Sequence, residues 1–227
     1  MKPGLLLSML LASLPGQPLA AQDAPRGAAE GAIQGKRVTV EYGRAALRGR
    51  SLDSLIAQLP DDRVWRAGAD EVTTFTTEGD LSVEGLTGTA CTRNRRPSPG
   101  RRVPAGKYSV YISAPTEGNW LLILNSDPGI ELGALTKALG LSVPDRAAKR
   151  LWPHLEGYNL DRAHNVPGIA SSEVVRVVMT PGTVSPAVDP FTISFLPSGP
   201  DTLTLIAAWA DRSWSVDLHG VGAAADQ

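Results

Sequence analysis

Short runs of alternating apolar and polar residues dominate the chain from residue 38 onward. In the segment KRVTVEYGR, Val38, Val40 and Tyr42 fall on one side of an extended backbone, and Thr39 and Glu41 fall on the other. A period of two is typical of a strand with one buried face. This pattern predicts a strand at the start of the ordered part of the chain.

Eight further runs, from residue 72 to residue 218, have the same character. They are short, rich in β-branched or alternating residues, and separated by Gly, Pro, Asp or Asn. The runs are VTTFTT, LSVEG, KYSVYIS, WLLILN, EVVRVVM, FTISFL, TLTLIAAWA and SWSVDL. Together they predict a mainly β protein, folded as an antiparallel β-sandwich or barrel-like domain.

Three segments interrupt the strand pattern with helical spacing. Ser51 is placed to cap a short helix that ends before Pro60. Residues 130–139 and 145–155 also carry apolar side chains at helical intervals. We therefore expect short helical insertions between the strands.

The first 21 residues follow the order of a secretory signal peptide. Lys2 precedes an apolar run that extends from Leu5 to Leu14, and small residues stand at Ala20 and Ala21. The run is shorter than the ~20 residues that a membrane-spanning helix needs. We expect a cleaved signal peptide over residues 1–21, an extracytoplasmic (periplasmic or secreted) location, and no integral membrane segment after cleavage.

Composition divides the rest of the chain into three parts. Residues 22–34 are small, polar and rich in turn formers, which predicts a disordered leader. Residues 35–219 form a single β-rich domain, and residues 220–227 form a flexible tail. The whole chain has 22 basic and 23 acidic residues, a balance that gives no attraction toward nucleic acid. Its single cysteine excludes an internal disulfide bond.

An arginine-rich insertion, TGTACTRNRRPSPGRRVPAGK, separates two of the predicted strands. We expect a long exposed loop. Two interpretations remain open: a charged insertion that is simply solvated, or an anion-binding arm in which the cations favour the thiolate of Cys91.

The familiar signatures of enzymes and metal sites are missing from the sequence. His154, His164 and His219 lie on separate segments, without zinc-ligand spacing. Neither a nucleophile elbow nor a phosphate-binding glycine loop is present. The sequence therefore predicts no metal and no cofactor, leaves the catalytic residues unknown, and does not decide whether the protein is an enzyme.

The strongest candidate for a functional surface is the polar segment VWRAGADEVTT, in which charged side chains crowd around Gly68. Arg66 can form paired hydrogen bonds with a carboxylate, either of a ligand or of Glu71. In a purely structural alternative, Trp65 fills the core and the Arg–Glu pair holds the loop. We expect this segment to lie beside the turn that contains Arg44 and Arg50. The predicted ligand-binding residues are Arg44, Arg50, Trp65, Arg66, Asp70, Glu71 and Thr73.

Four pieces of the sequence resemble one known family. YGRAALRGRSL, VWRAGADEVTTFTT, VPAGKYSVYISAP and WLLILN are similar to the secreted bacterial family called domain of unknown function 2911. The chain departs from the family pattern at Asp70, where asparagine is usual, at Val72, where alanine is usual, and in the arginine-rich insertion. The resemblance implies an extracytoplasmic location and a compact β-rich domain, and it brings no established activity.

Three functions follow from these observations. We favour a binding module for an anionic or sugar-like small ligand, held by arginines around Trp65. A structural or envelope-interaction protein is the first alternative. A hydrolase that uses Glu71 or Asp70 as general base, with Arg66 stabilising negative charge, is the second. The sequence does not set the oligomeric state.

Overall fold

The computed structural model describes residues 24–84, 101–138, 140, 142–153, 160–161, 166–167 and 169–221. Several predictions concern residues outside these ranges. They are the signal peptide, the part of the arginine-rich insertion that contains Cys91, the histidines His154 and His164, and the tail beyond residue 221.

Strands make up most of the described chain, and three short helices lie between them. The strands are β1 Arg26–Ile33, β2 Lys36–Gly43, β3 Val64–Trp65, β4 Thr74–Thr77, β5 Leu81–Glu84, β6 Arg101–Val103, β7 Gly106–Ser113, β8 Leu121–Asn125, β9 Ile130–Glu131, β10 Leu151–Trp152, β11 Leu160–Asp161, β12 Val166–Pro167, β13 Glu173–Val178, β14 Thr180–Gly199 and β15 Thr202–Gly220. The helices are α1 Leu52–Ile56, α2 Leu132–Ala138 and α3 Asp145–Ala148, and a 3-10 turn spans Ile169–Ser172.

Two antiparallel sheets carry the fold. The first has the order β1-β2-β4-β7-β8-β13, with β3 also pairing with β7. The second has the order β14-β15-β5-β6, and the pairs β9/β10 and β11/β12 form two small ribbons. This arrangement confirms the predicted mainly β, antiparallel, sandwich-like architecture.

One hydrophobic core contains side chains from both sheets. Val38, Val40 and Tyr42 of β2 are at most 3% exposed, as the alternation predicted, and they belong to the same cluster as Phe191 of β14 and Leu203 of β15. The burial of these apolar side chains is the main stabilising contribution in a chain that has no internal disulfide bond.

The predicted short helices are confirmed. The Ser51 hydroxyl accepts a hydrogen bond from the backbone N–H of Ser54 at 3.1 Å, which caps α1. Leu52 on this helix is 4% exposed and packs in the core. Helices α2 and α3 lie within the two other segments that showed helical spacing.

The predicted disordered leader is wrong for most of its length. Residues 26–33 form β1, which pairs with β2 over all eight residues, and Ile33 is 2% exposed. A Cβ atom at Gly27 would lie 2.8 Å from the Tyr42 ring, and one at Gly31 would lie 2.7 Å from Leu203. The small residues of this segment thus allow close packing, whereas the composition had indicated disorder.

Strand β15 of the second sheet doubles back on itself. Within Thr202–Gly220, the Thr204 hydroxyl donates to Asp217 Oδ1 at 2.6 Å, and the Thr202 hydroxyl lies 3.1 Å from His219 Nδ1. In a straight strand these pairs would be tens of ångströms apart. The backbone reverses near Ala210, where φ is +56°. The two predicted strands TLTLIAAWA and SWSVDL are therefore the two arms of β15.

The predicted C-terminal boundary of the domain, residue 219, is one residue too early. Gly220, which was assigned to the flexible tail, belongs to β15, and its N–H donates to the Asp201 carbonyl at 3.0 Å. Among the described helices, none has the length and apolar character that crossing a membrane requires.

Candidate functional site

Two glycines allow the Trp65–Thr73 segment to lie against the end of β2. The N–H of Ala69 donates to the Gly43 carbonyl at 3.1 Å. A Cβ atom at Gly43 would lie 1.9 Å from the Ala69 oxygen, and one at Gly68 would lie 2.7 Å from Thr73 Oγ1. The segment therefore touches the backbone directly before Arg44.

Trp65 is anchored in the aromatic part of the core. Its ring stacks on Trp209, with centroids 5.2 Å apart, and meets the edge of Phe191 at 4.8 Å. The indole N–H donates to the Gly68 carbonyl at 3.2 Å. These contacts use the ring and its polar atom to hold the loop.

Asp70 and Thr73 hold the Trp65–Thr73 segment in place through hydrogen bonds with backbone groups. Asp70 has a φ of +58°, and its Oδ2 accepts a hydrogen bond from the N–H of Ala24 at 2.5 Å. Thr73 is fully buried, and its hydroxyl donates to the Ala67 carbonyl at 3.0 Å. Asp70 thus joins the segment to the start of β1, and Thr73 joins two residues within the segment.

Glu71 forms an ion pair with Arg150, which sequence reasoning did not consider. The Arg150 Nε lies 2.7 Å from Glu71 Oε1, and the two side chains are 28% and 21% exposed. Arg150 also lies over the Trp152 ring at 5.9 Å. The partners are 79 residues apart, so no local sequence signal indicates the contact.

The three predicted arginines contact different parts of the fold. Arg44 Nη2 donates to the Thr192 hydroxyl at 3.1 Å, while its Nε is buried and has no hydrogen-bond partner among the described residues. Arg50 is exposed, and its Nε donates to Leu47 O in its own turn at 3.1 Å. Arg66 lies near the phenol of a tyrosine on β7. No contact between described residues brings these three cations together.

Arg66 is the predicted site residue that these contacts leave out, and its charge acts on Tyr111. Tyr111 is 5% exposed, and burial raises the pKa of its phenol to about 12. A hydrogen bond with Ser109 and the charge of Arg66 act in the opposite direction on this pKa, whereas Asp127 adds to the increase. Arg66 is half-buried, and it makes no hydrogen bond or ion pair with any other residue that the structure describes.

Buried polar residues hold the loop beside Tyr111. The Ser109 hydroxyl donates to the Asp127 carbonyl at 2.6 Å. Asn125, which is fully buried, donates through Nδ2 to the Ile169 carbonyl at 2.7 Å and accepts the N–H of Asp127 on Oδ1 at 2.8 Å. The predicted ligand-binding residues do not include them. Asn125 stands out in the sequence as the polar end of the apolar run WLLILN.

Both carboxylates that were predicted as general bases have partners within the fold. Glu71 is bound to Arg150, and Asp70 accepts a backbone N–H, so each predicted general base already has a structural partner. Across the described ranges, no group of three His, Cys, Asp or Glu side chains is placed to hold a metal ion.

Comparison with known proteins finds one family. The model of a family described as a protein of unknown function (DUF2911) matches residues 24–92. Neither the curated proteins nor the solved structures give a significant match. The matched residues include β1 to β5 and the whole Trp65–Thr73 segment. Residues 24–92 of the chain are thus similar to the DUF2911 family.

Proposed function

We propose that the protein is a binding module for a small anionic ligand, and that Arg66 holds the carboxylate or phosphate group of that ligand. One observation carries the proposal. Arg66 is half-buried, its charge acts on the Tyr111 phenol, and it has no ion-pair partner within the described part of the chain.

The physical argument concerns the charge of Arg66. Removing part of a guanidinium group from water is unfavourable unless an opposite charge or hydrogen bonds compensate. Glu71 was the best internal candidate for that role, and it is bound to Arg150. A ligand carboxylate or phosphate can supply this counter-charge, and its oxygens match the paired donors of a guanidinium group.

The backbone around Arg66 is fixed, which favours binding. Val64 and Trp65 pair with Ser113 and Ile112 of β7, so the residue before Arg66 belongs to the sheet. The Trp65 ring packs against the core aromatic residues Phe191 and Trp209. A binding side chain on a rigid element loses little conformational entropy when its ligand arrives.

A purely structural function explains only some of the predicted site residues. The contacts of Trp65, Glu71 and Thr73 lie within the fold, and these residues need no ligand. Arg66 is the residue that this alternative leaves without a role.

A thermal-shift measurement with matched probes tests the proposal. D-Glucuronate, phosphate and acetate are the anionic probes, and D-glucose is the neutral one. A ligand at 100 times its dissociation constant adds about 2.7 kcal/mol to the free energy of unfolding. We expect stabilisation by at least one anion, its loss in Arg66→Ala, and its retention in Arg50→Ala, which removes an exposed arginine. An equal shift with glucose, or an unchanged shift in Arg66→Ala, would contradict the proposal.

We also propose an extracytoplasmic location, on the basis of residues 1–21. Their order of charged, apolar and small residues supports export and cleavage. The exported protein should begin at Ala21 or Gln22, as intact-mass measurement would show. Retention of Met1 in that protein would contradict this location.

A further inference from the structure

The first described residues of the chain lie against the Trp65–Thr73 segment. The N–H of Ala24 donates to Asp70 Oδ2 at 2.5 Å. The Pro25 carbonyl accepts the N–H of Arg44 at 2.8 Å, directly before β1 begins. Asp70 and the end of β2 thus both hold the start of β1.

Asp70 is a half-buried carboxylate that has no cationic partner among the described residues. Glu71, the other acid of the segment, is paired with Arg150. Removing part of a carboxylate group from water is unfavourable unless an opposite charge or hydrogen bonds compensate. A carboxylate can accept about four hydrogen bonds, and the N–H of Ala24 supplies one of them. Asp70 can therefore also accept hydrogen bonds from a cation.

Removal of the signal peptide places a new positive charge a few residues from this carboxylate. Cleavage after Ala20 or Ala21 leaves an α-ammonium group on Ala21 or Gln22. Two or three residues then connect this group to the Ala24 nitrogen, and a chain of that length spans at most about 7–11 Å. The connection is short enough to keep the ammonium group within reach of Asp70.

We propose that signal-peptide cleavage creates an ion pair between the new α-ammonium group and Asp70, which connects the start of β1 to the Trp65–Thr73 segment. The ammonium group has three N–H donors, and the oxygens of Asp70 accept from it beside the N–H of Ala24. In the uncleaved chain the same nitrogen is a neutral amide, so the ion pair forms only in the mature protein. This inference rests on the export and cleavage proposed above.

Acetylation of the N-terminus tests the ion pair, because it removes one charge and leaves every side chain in place. The mature chain that begins at Ala21 is compared, by urea unfolding, with the same chain acetylated. At pH 6 an α-ammonium group with the ordinary pKa of about 7.7–8.0 is charged. We expect acetylation to lower the folding equilibrium constant about two- to fivefold at this pH, the range for a partly exposed ion pair. The difference should disappear at pH 10, because the free amine is then neutral.

Two variants locate the partner of the ammonium group. Asp70→Asn removes the negative charge and keeps an oxygen acceptor for the N–H of Ala24, so acetylation should have no effect in this variant at pH 6. Glu30→Gln, which changes an exposed acidic residue on β1, should retain the full effect of acetylation.

Three results would overturn the proposal. They are equal stability of the free and acetylated chains at pH 6, an acetylation effect of the same size in Asp70→Asn, and an effect that persists unchanged at pH 10. The intact mass of the exported protein tests cleavage by itself, so a failure of the export proposal is distinguishable from a failure of the ion pair.

Discussion

At Gly43 two backbone segments meet so closely that a side chain has no space. Alternation in the sequence predicted the buried face of β2, because a period of two follows from strand geometry alone. It did not predict the contact between Gly43 and Ala69, since that contact depends on how a later loop returns to the strand. The same reason explains why Arg150 and Tyr111 were missed as neighbours of Glu71 and Arg66.

Gly43→Ala should lower the free energy of unfolding by about 3 kcal/mol, because the new Cβ would lie 1.9 Å from the Ala69 oxygen. Gly35→Ala is the matched control. Gly35 has a φ of +74° with open space around it, so only the backbone cost of about 1 kcal/mol applies. Urea unfolding measures both variants, and equal losses would show that the close approach is not present.

The raised pKa of the Tyr111 phenol predicts that the protein loses stability at alkaline pH. Its pKa is raised to about 12 in the folded protein, above the ordinary value of about 10 for an unfolded tyrosine. The stabilising contribution is therefore complete below pH 10 and is lost as the pH rises toward 12, by up to about 2–3 kcal/mol. Tyr111→Phe should show a smaller loss over the same range. Parallel pH profiles of the parent and this variant would contradict the assignment.

Strand β1 is a strand that the sequence pattern did not predict. The later strands were predicted because β-branched residues and turn formers mark their bodies and ends. The segment RGAAEGAI has one β-branched residue and two glycines, and its composition is also that of a disordered leader. What makes it a strand is pairing with β2 and the fit of its glycines against Tyr42 and Leu203, which are tertiary contacts.

Removal of β1 should destabilise the protein. A chain that begins at Gln34 loses the eight-residue pairing with β2 and the buried side chain of Ile33. We expect a loss of at least about 2–3 kcal/mol relative to a chain that begins at Ala24. Thermal or urea unfolding compares the two proteins. Equal stability would restore the interpretation of residues 22–34 as a disordered leader.

At the scale of the whole molecule, the two sheets share one core, and the polar sites lie at its periphery. The sequence predicted this architecture because it depends mainly on the pattern of apolar residues. The placement of a functional surface on the segment that contains Arg66 stays a prediction. The division of roles within that segment could not be predicted, because Trp65, Asp70, Glu71 and Thr73 find their partners only when distant strands and loops assemble.

The most direct test of the anion site is the affinity of D-glucuronate, measured by isothermal titration calorimetry on the parent, Arg66→Ala, Arg66→Lys and Arg50→Ala. We predict that Arg66→Ala weakens binding at least about tenfold, because hydrogen bonds to charged groups contribute about 1.5–3 kcal/mol. Arg66→Lys should recover part of the affinity, since lysine keeps the charge and loses the paired geometry. Arg50→Ala should bind like the parent. Equal affinity in the parent and Arg66→Ala would contradict the account.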